Sequence, residues 1–341
     1  MRIALDAMGG DYAPATTVEG AVEALVENKD LSVILVGDEA EISAELKKKN
    51  FMGRQVSVKH ASQTVEMDES PLTALRRKKD SSLRVAVDLV KSNEADAMVS
   101  AGNSGVVMAT ALHVLGKIQG IERPAIAAVM PTLKGRFVLI DAGANVDCKP
   151  LHLYQFAIMG EAYARYIFNI ENPKIGLLGI GEEDAKGNEL TKESSKLLRN
   201  SHVNFIGNVE GKDIFAGEAD VVVCDGFVGN IALKISEGLA EATSKMLKRE
   251  ISERVSGRIG YLLLKNAFKS FRKKTDYSEY GGAPLLGLSK PCIISHGRST
   301  SKAIKNAIKL AATCHSKRVL EVISKEINEG ISRREEVAIK K

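Results

Sequence analysis

The chain opens Arg2-Ile3-Ala4-Leu5-Asp6-Ala7-Met8-Gly9-Gly10-Asp11, and the reading of these residues decides the fold class. Residues 2–6 read as a short buried strand. The glycine pair makes a turn, and Thr16-Thr17-Val18-Glu19-Gly20-Ala21-Val22 starts a helix. Strand, glycine turn and helix in succession is where α/β proteins place an anion or a reacting group. Paired glycines let backbone N–H groups approach a ligand and adopt positive φ. G-x-G-x-x-G is absent, so this is not a dinucleotide fingerprint. Asp6 and Asp11 flank the turn, and on spacing alone a capped tight turn and a binding site are both open.

The same unit recurs outward along the chain. Apolar runs at 31–37, 55–60, 96–100, 125–130, 136–140, 174–180, 203–208, 219–224 and 291–295 read as strands. Residues 131–135 read as the turn of a local hairpin. Helices are expected at 38–49, 82–92, 104–115, 151–167, from 191, at 231–255 and, as one closing helix, at 300–328. Residues 61–71 read as loop, the basic run 76–79 as a solvated face, and the charged tail to Lys341 as frayed. This alternation implies an α/β protein, Rossmann-like, whose residues 1–341 form a single catalytic unit. If its sheet is open and parallel, the carboxyl ends of the strands share one edge.

Composition narrows the function. The chain has 341 residues, 44% of them hydrophobic, which is ample for a large core. The net charge of +5 is mild, Trp is absent and aromatics are 5%, so there is no stacking platform for nucleic acid and none is expected as a partner. Cys148, Cys224, Cys292 and Cys314 are far apart with no C-x-x-C. They read as reduced thiols without a zinc site. No leader or membrane-length apolar run is seen, so the expected compartment is the cytoplasm.

Chemistry-bearing residues gather at the glycine junctions. Gly9, Gly10 and Asp11 follow the first strand. Ser100, Gly102, Asn103, Ser104 and Gly105 follow another, where Ser104 reads as a helix cap that also offers its hydroxyl to an anion. Gly143 and Asn145, then Asp225, Gly226, Gly229 and Asn230, form two more junctions. Glu182, Glu183 and Asp184 are adjacent and cannot all converge on one metal ion. Lys186, between glycines and followed by Asn188, is a point charge suited to phosphate. His296, with Ser299 behind it, sits where the last strand ends. There is no G-x-S-x-G, no Walker A and no zinc pattern. The residues point to an enzyme handling a phosphate-sized anion. Residues 254–274 differ in kind: seven basic residues, no acid, and Ile259, Leu262, Leu263, Ala267 and Phe271 at helical spacing. Such a helix suits an anionic membrane surface, an acidic protein or a second subunit.

The motifs DAMGGD (6–11), SAGNSG (100–105), DAGAN (141–145), GEEDAKGN (181–188), CDGFVGN (224–230), YGGAPLLG (280–287) and HGRS (296–299) resemble, in order, those of the bacterial phosphate acyltransferase family known as PlsX. The resemblance implies an αβα sandwich similar to phosphotransacetylase and to the isocitrate/isopropylmalate dehydrogenase group. It implies an acyltransferase that makes acyl phosphate from acyl-[acyl carrier protein] and inorganic phosphate by direct attack on the thioester, in phospholipid biosynthesis. A homodimer, peripheral contact with the membrane and a downstream glycerol-3-phosphate acyltransferase go with it, without cofactor or metal. The excursion at 231–287, comprising the amphipathic helix 254–274 and a glycine-rich loop 280–287, would serve dimer, membrane or partner contact. Within that scheme Lys186, His296 and Asn230 are the expected catalytic residues. Gly9, Gly10, Asp11, Ser100, Asn103, Ser104, Asn145, Asn188, Asp225, Gly226 and Ser299 are the expected substrate contacts. Two departures stand out: Gly179, where the family pattern has Asn, and Ser104, where Thr is common and the hydroxyl is kept. The alternatives are a phosphotransacetylase-type enzyme using acyl-CoA and a non-catalytic scaffold at the membrane.

Overall fold

The computed structural model describes residues 1–51, 53–275 and 280–339. Eleven strands form one sheet. They are β1 (Arg2–Asp6), β2 (Ser32–Gly37), β3 (Val56–His60), β4 (Ala97–Ser100), β5 (Ala125–Thr132), β6 (Gly135–Ile140), β7 (Ile175–Leu178), β8 (Phe205–Val209), β9 (Val221–Val223), β10 (Ala283–Leu286) and β11 (Cys292–Ile294). Their order is β3-β2-β1-β4-β11-β10-β5-β6-β9-β7-β8. Ile3 and Leu5 pack on one face of β1, in one buried cluster, and Ala4 on the other face, in a second. Burial on both faces explains why the strands read as unbroken apolar runs rather than alternating ones.

The sheet is not parallel throughout. β3, β2, β1, β4 and β11 run together. β10 is antiparallel to both β11 and β5, and the expected hairpin makes β6 antiparallel to β5. From β6 onward, β9, β7 and β8 are parallel to one another but reversed relative to β1. The expectation that all carboxyl ends share one edge of the ladder is therefore corrected. The ends of β1, β4 and β11 are neighbours, and those of β6, β9 and β7 form a second set. The glycine-rich stretch 280–287 is not a plain loop, because Ala283–Leu286 is the strand at which the direction turns.

The helices follow the expected alternation with four differences, one of them a short helix at Pro71–Arg77 that was not expected. The junction after β4 is capped by Asn103, whose Oδ1 accepts from Val106 N, so Ser104 is the first residue of α5 (Ser104–Leu115) and not its cap. The closing segment is two helices, α10 (Ser301–Ser316) and α11 (Val319–Ile339), separated where Arg318 takes φ of 51°. The long helix α8 runs Gly226–Glu253, starting directly at the β9 junction, and is followed by α9 (Val255–Thr275). Among its described residues α8 buries only Gly226 and Gly229. Ile235, Leu239 and Met246 of α8 and Leu262, Leu263 and Phe271 of α9 are exposed. Of the seven basic residues expected on this second helix, the side chains of Arg258 and of 272–274 lie outside the described residues.

Candidate active site

Three junctions predicted from separate parts of the sequence meet at the ends of β1, β4 and β11. Asp11 N donates to Gly297 O at 2.8 Å, tying the first turn to the last. Gly10 has φ of +104°, and a side chain there would stand 3.0 Å from Gly297 O, so both conformation and space require glycine. Beneath the turn, Ser100 Oγ donates to Asp6 Oδ2 at 2.7 Å and accepts from Gly102 N at 3.1 Å. Burial pushes the Asp6 carboxyl up, opposed by hydrogen bonds from Ser100, Ser82 and the N–H groups of Met8 and Gly9. Asp6 and Ser100 are thus internal braces. Ser299 is also buried, sharing a 2.7 Å hydrogen bond with Ser295. Asn103 gives its amide to Met67 O and Glu69 O, so it holds the loop before α3 (Pro71–Arg77). Gly9, Gly10, Asp11, the exposed Ser104 and His296 remain at the surface or just under it. The helices that begin after these strands, α1 (Ala15–Glu27), α5 and α10, direct three N-termini toward this edge. That concentration of helix N-termini and positive dipole ends favours an anion.

The reversed half of the sheet contributes through α8. Asp141, at the end of β6, is fully buried and accepts from Ile126, Gly143, Ala144 and Asn145 N–H and from the Asn145 amide. Asn145 also donates to Pro124 O at 2.7 Å; its side chain is spent on this loop. Gly226 N donates to Asn145 O at 2.7 Å, and Asp225 caps α8 through Val228 N. Asn230 stands against Gly143 on the first turn of α8. One turn further, about 6 Å along the axis, Lys234 Nζ lies 3.3 Å from His296 Nε2. α8 therefore joins the two sets of strand ends that the ladder alone separates.

The His296–Lys234 contact has a particular chemistry. Arg298 N donates to His296 Nδ1 at 3.1 Å; in the tautomer this contact selects, Nδ1 accepts and Nε2 carries the N–H, whereas the other tautomer would accept the Lys234 ammonium at Nε2. Burial, and then the Lys234 ammonium, hold the imidazole below its ordinary pKa, so it is neutral at pH 7. In the first of these tautomers Nε2–H and the ammonium are two donors side by side, an arrangement that an anionic oxygen suits. Glu237, 2.8 Å from Lys234 Nζ, orients the lysine. Neither Lys234 nor Glu237 was expected from the sequence. The available signal is spacing: Asn230, Lys234, Glu237 and Glu241 fall at i, i+4, i+7 and i+11 on one helix face.

Lys186 lies elsewhere. Its Nζ is 2.8 Å from Glu183 in the exposed loop after β7, and the next charges to bear on it are Glu210 and Lys212 beyond β8. Asn188 Oδ1 accepts from Thr191 N and caps α7 (Glu189–Arg199). The structure thus brings His296, Asn230 and the first glycine turn together through α8, and gives Lys186 and Asn188 contacts within their own loop. The cysteines near the β6 and β9 ends are poor nucleophiles. Burial, then Asp141, pushes the Cys148 thiol up to about 12, and Cys224 is raised by the same causes.

The model of the family described as "Fatty acid synthesis protein" matches residues 1–322. The chain belongs to this family. Its relatives carry the name phosphate acyltransferase. The one from Thermodesulfovibrio yellowstonii is 58% identical over 335 residues, 98% of this chain and 96% of the relative. That from Geobacter sulfurreducens is 57% identical over 311 residues, 91% and 90% of the two chains. The chain is thus an acyltransferase of the phosphate acyltransferase family, as its motif order implied. The fold is shared with a phosphotransacetylase from Streptococcus pyogenes, at a TM-score of 0.61 and 23% identity over 94% of each chain. A 4-hydroxythreonine-4-phosphate dehydrogenase from Klebsiella pneumoniae has a TM-score of 0.52 at 14% identity, over 92% of this chain and 99% of its own. At these identities the likeness extends to the fold alone, an α/β fold common to phosphotransacetylases and a dehydrogenase.

Proposed function

We propose that the chain, as a single catalytic unit, transfers an acyl group from the thioester of acyl-[acyl carrier protein] to inorganic phosphate. Acyl phosphate is released for phospholipid synthesis. The observation that carries this reading is the paired donor arrangement of Lys234 Nζ and His296 Nε2, at an edge where three helices begin. Phosphate is held by Gly9 and Gly10 N–H, the Ser104 hydroxyl, Lys234 and His296. Asn230 orients the thioester carbonyl. A phosphate oxygen attacks the carbonyl carbon, and the carbonyl oxygen gains charge that the same donors stabilise. The intermediate collapses with loss of phosphopantetheine thiolate, whose thiol pKa near ~8.5 makes a strong general acid unnecessary. No enzyme acyl intermediate is required, consistent with the raised thiols of Cys148 and Cys224. Positioning supplies much of the rate. Asp11 and Asp225 serve the loops, since a carboxylate would repel the phosphate. Lys186 and Asn188 sit on the loop after β7, where they meet the acyl donor rather than the phosphate.

Incubation with long-chain acyl-[acyl carrier protein] tests the reading. Acyl phosphate is expected only when phosphate is present, and faster than from acyl-CoA of the same chain. A preference for acyl-CoA would favour a phosphotransacetylase-type reaction, and no phosphate-dependent loss of thioester would leave a scaffold.

The exposed apolar residues of α8 and α9, with Arg254, Lys265 and Lys269 beside them, support a homodimer seated on an anionic membrane surface. Contact there brings a glycerol-3-phosphate acyltransferase within reach of the product. Among the described residues no helix is long and apolar enough to cross a membrane; the contact we propose is peripheral, by a cytoplasmic protein. Leu263, 82% exposed, is a sensitive probe. Leu263→Glu is expected to reduce co-sedimentation with anionic phospholipid vesicles several-fold while leaving the phosphate-dependent reaction in solution within about twofold. Unchanged vesicle binding would remove α9 from the membrane contact.

A further inference from the structure

Away from the junctions, a second group of side chains converges from three elements. α6 (Pro150–Phe168) supplies Glu161 and Arg165, the segment between α7 and β8 supplies His202, and α11 supplies Glu326. Arg165 takes one oxygen of each carboxylate. Its Nη2 donates to Glu161 Oε1 and its Nη1 to Glu326 Oε1, the latter at 2.9 Å. The other two oxygens turn to the imidazole. His202 Nε2 is 3.9 Å from Glu161 Oε2 and 3.4 Å from Glu326 Oε2. Glu161 is only 2% exposed, yet its Oε2 has no hydrogen-bond partner among the described residues. A buried carboxylate oxygen without a donor is costly, and this one is aimed at the centre of the group.

We infer that Glu161 Oε2, Glu326 Oε2 and His202 Nε2 form a structural site for a first-row divalent transition ion that pins α11 to α6. The three atoms lie within 4.8 Å of one another. Donors about 2.1 Å from a tetrahedral ion stand roughly 3.4 Å apart, close to the 3.4 and 3.9 Å at which His202 Nε2 already stands from the two carboxylate oxygens. Arg165 performs the task of an outer partner, fixing the carboxylates through the oxygens that do not face the ion. The imidazole selects a transition ion over Ca²⁺ or Mg²⁺. The side chains of His202 and Glu326 are 23% and 17% exposed, leaving an entry path and a coordination position for water. The residues are far apart in sequence and no ligand-spacing motif joins them, so only the fold assembles them.

The test uses the tag-free full chain freed of metal with chelator, with Zn²⁺ as the probe and Ca²⁺ in parallel. One equivalent of Zn²⁺ is expected to bind. At a hundredfold excess over Kd it should raise Tm by roughly 3–5 °C, while Ca²⁺ does little. His202→Ala, a substitution near the surface, should weaken Zn²⁺ at least tenfold and abolish the metal-dependent rise. Glu326→Gln, which keeps the shape, should do the same relative to its own metal-free Tm. The inference is overturned if Zn²⁺ neither binds stoichiometrically nor raises Tm, or if His202→Ala binds it as tightly as the parent. In either case the group is an ion-pair cluster held by Arg165.

Discussion

Lys234→Ala is expected to lower phosphate-dependent acyl-phosphate formation by roughly 10²–10³-fold, the usual loss on removing one charge-stabilising donor from a transition state. The lysine faces His296 Nε2 at 3.3 Å and is steadied by Glu237, so its charge falls where phosphate and the developing oxyanion are proposed to be held. If Lys234 served only to pack α8, the loss would be small and confined to stability. The discriminating readouts are the KM for phosphate, expected to rise, and the acid limb of the pH–rate profile. His296 is held below its ordinary pKa first by burial and then by Lys234. Its neutral form, which accepts Arg298 N–H at Nδ1, is therefore kept to a pH below the ordinary imidazole range, and activity falls as the ring protonates. Removing the ammonium releases part of that depression, so the acid limb of Lys234→Ala should move up in pH. The same sign holds for stability: the contribution of neutral His296 is present above its unfolded pKa and lost as pH falls through the folded one. Lys186→Ala, on a residue paired with Glu183 at an exposed loop, is expected to cost less than about threefold in the phosphate KM. The opposite ranking of the two lysines would return the phosphate to the β7 loop and dismiss the arrangement around α8.

What could be read in the sequence follows from which signals are local. A strand that ends in glycine and opens a helix is a local pattern, so the junctions at Gly9, Gly102, Gly143, Gly226 and Gly297 were all legible. The reversal of the sheet was not, because it turns on β10, whose residues Ala283–Leu286 are hidden in a stretch of glycines and a proline. Strand direction is set by partners and not by composition. The cap of α5 was misplaced by one residue because Asn103 and Ser104 are both good cap formers. The break between α10 and α11 falls at Lys317 and Arg318, where neither glycine nor proline announces it. Lys234 was invisible for a different reason: a lysine on a long helix reads as solvated surface until the imidazole facing it is placed. Lys186 was read from the glycines beside it, and what the sequence did not show is that its nearest charge is the carboxylate of Glu183.

Asp141→Asn is expected to destabilise the protein by about 3–5 kcal/mol, although the two side chains have the same shape. Oδ1 accepts from the N–H groups of Ile126, Gly143 and Ala144 at 3.0, 3.2 and 2.9 Å. Oδ2 accepts from Asn145 N and Nδ2 at 2.7 and 2.8 Å. Burial pushes this carboxyl up while those donors pull it down, and with five N–H donors and no acceptor around it the charged form is the one that fits. An asparagine must direct its NH₂ at one set or the other. Either way two or three hydrogen bonds become donor facing donor in a site without water access, and no cavity forms to confuse the cause. For a chain of this size the expected fall in Tm is roughly 4–7 °C. Asp225→Asn is the matched control. Asp225 is a helix cap that accepts from Val228 N, asparagine caps as well as aspartate, and the change should stay within about 0.5 kcal/mol. Activity should separate the two further. The Asp141 loop carries the Asn145 carbonyl that receives Gly226 N and the Gly143 backbone against which Asn230 rests. Loosening it lets the start of α8 move, and with it Lys234 one turn on. A loss of activity in Asp141→Asn at temperatures well below its Tm, with the phosphate KM raised as in Lys234→Ala, would place the buried carboxylate in control of the lysine. An unchanged Tm would mean that the N–H groups around Asp141 find other acceptors, and that α8 is anchored from its far end instead.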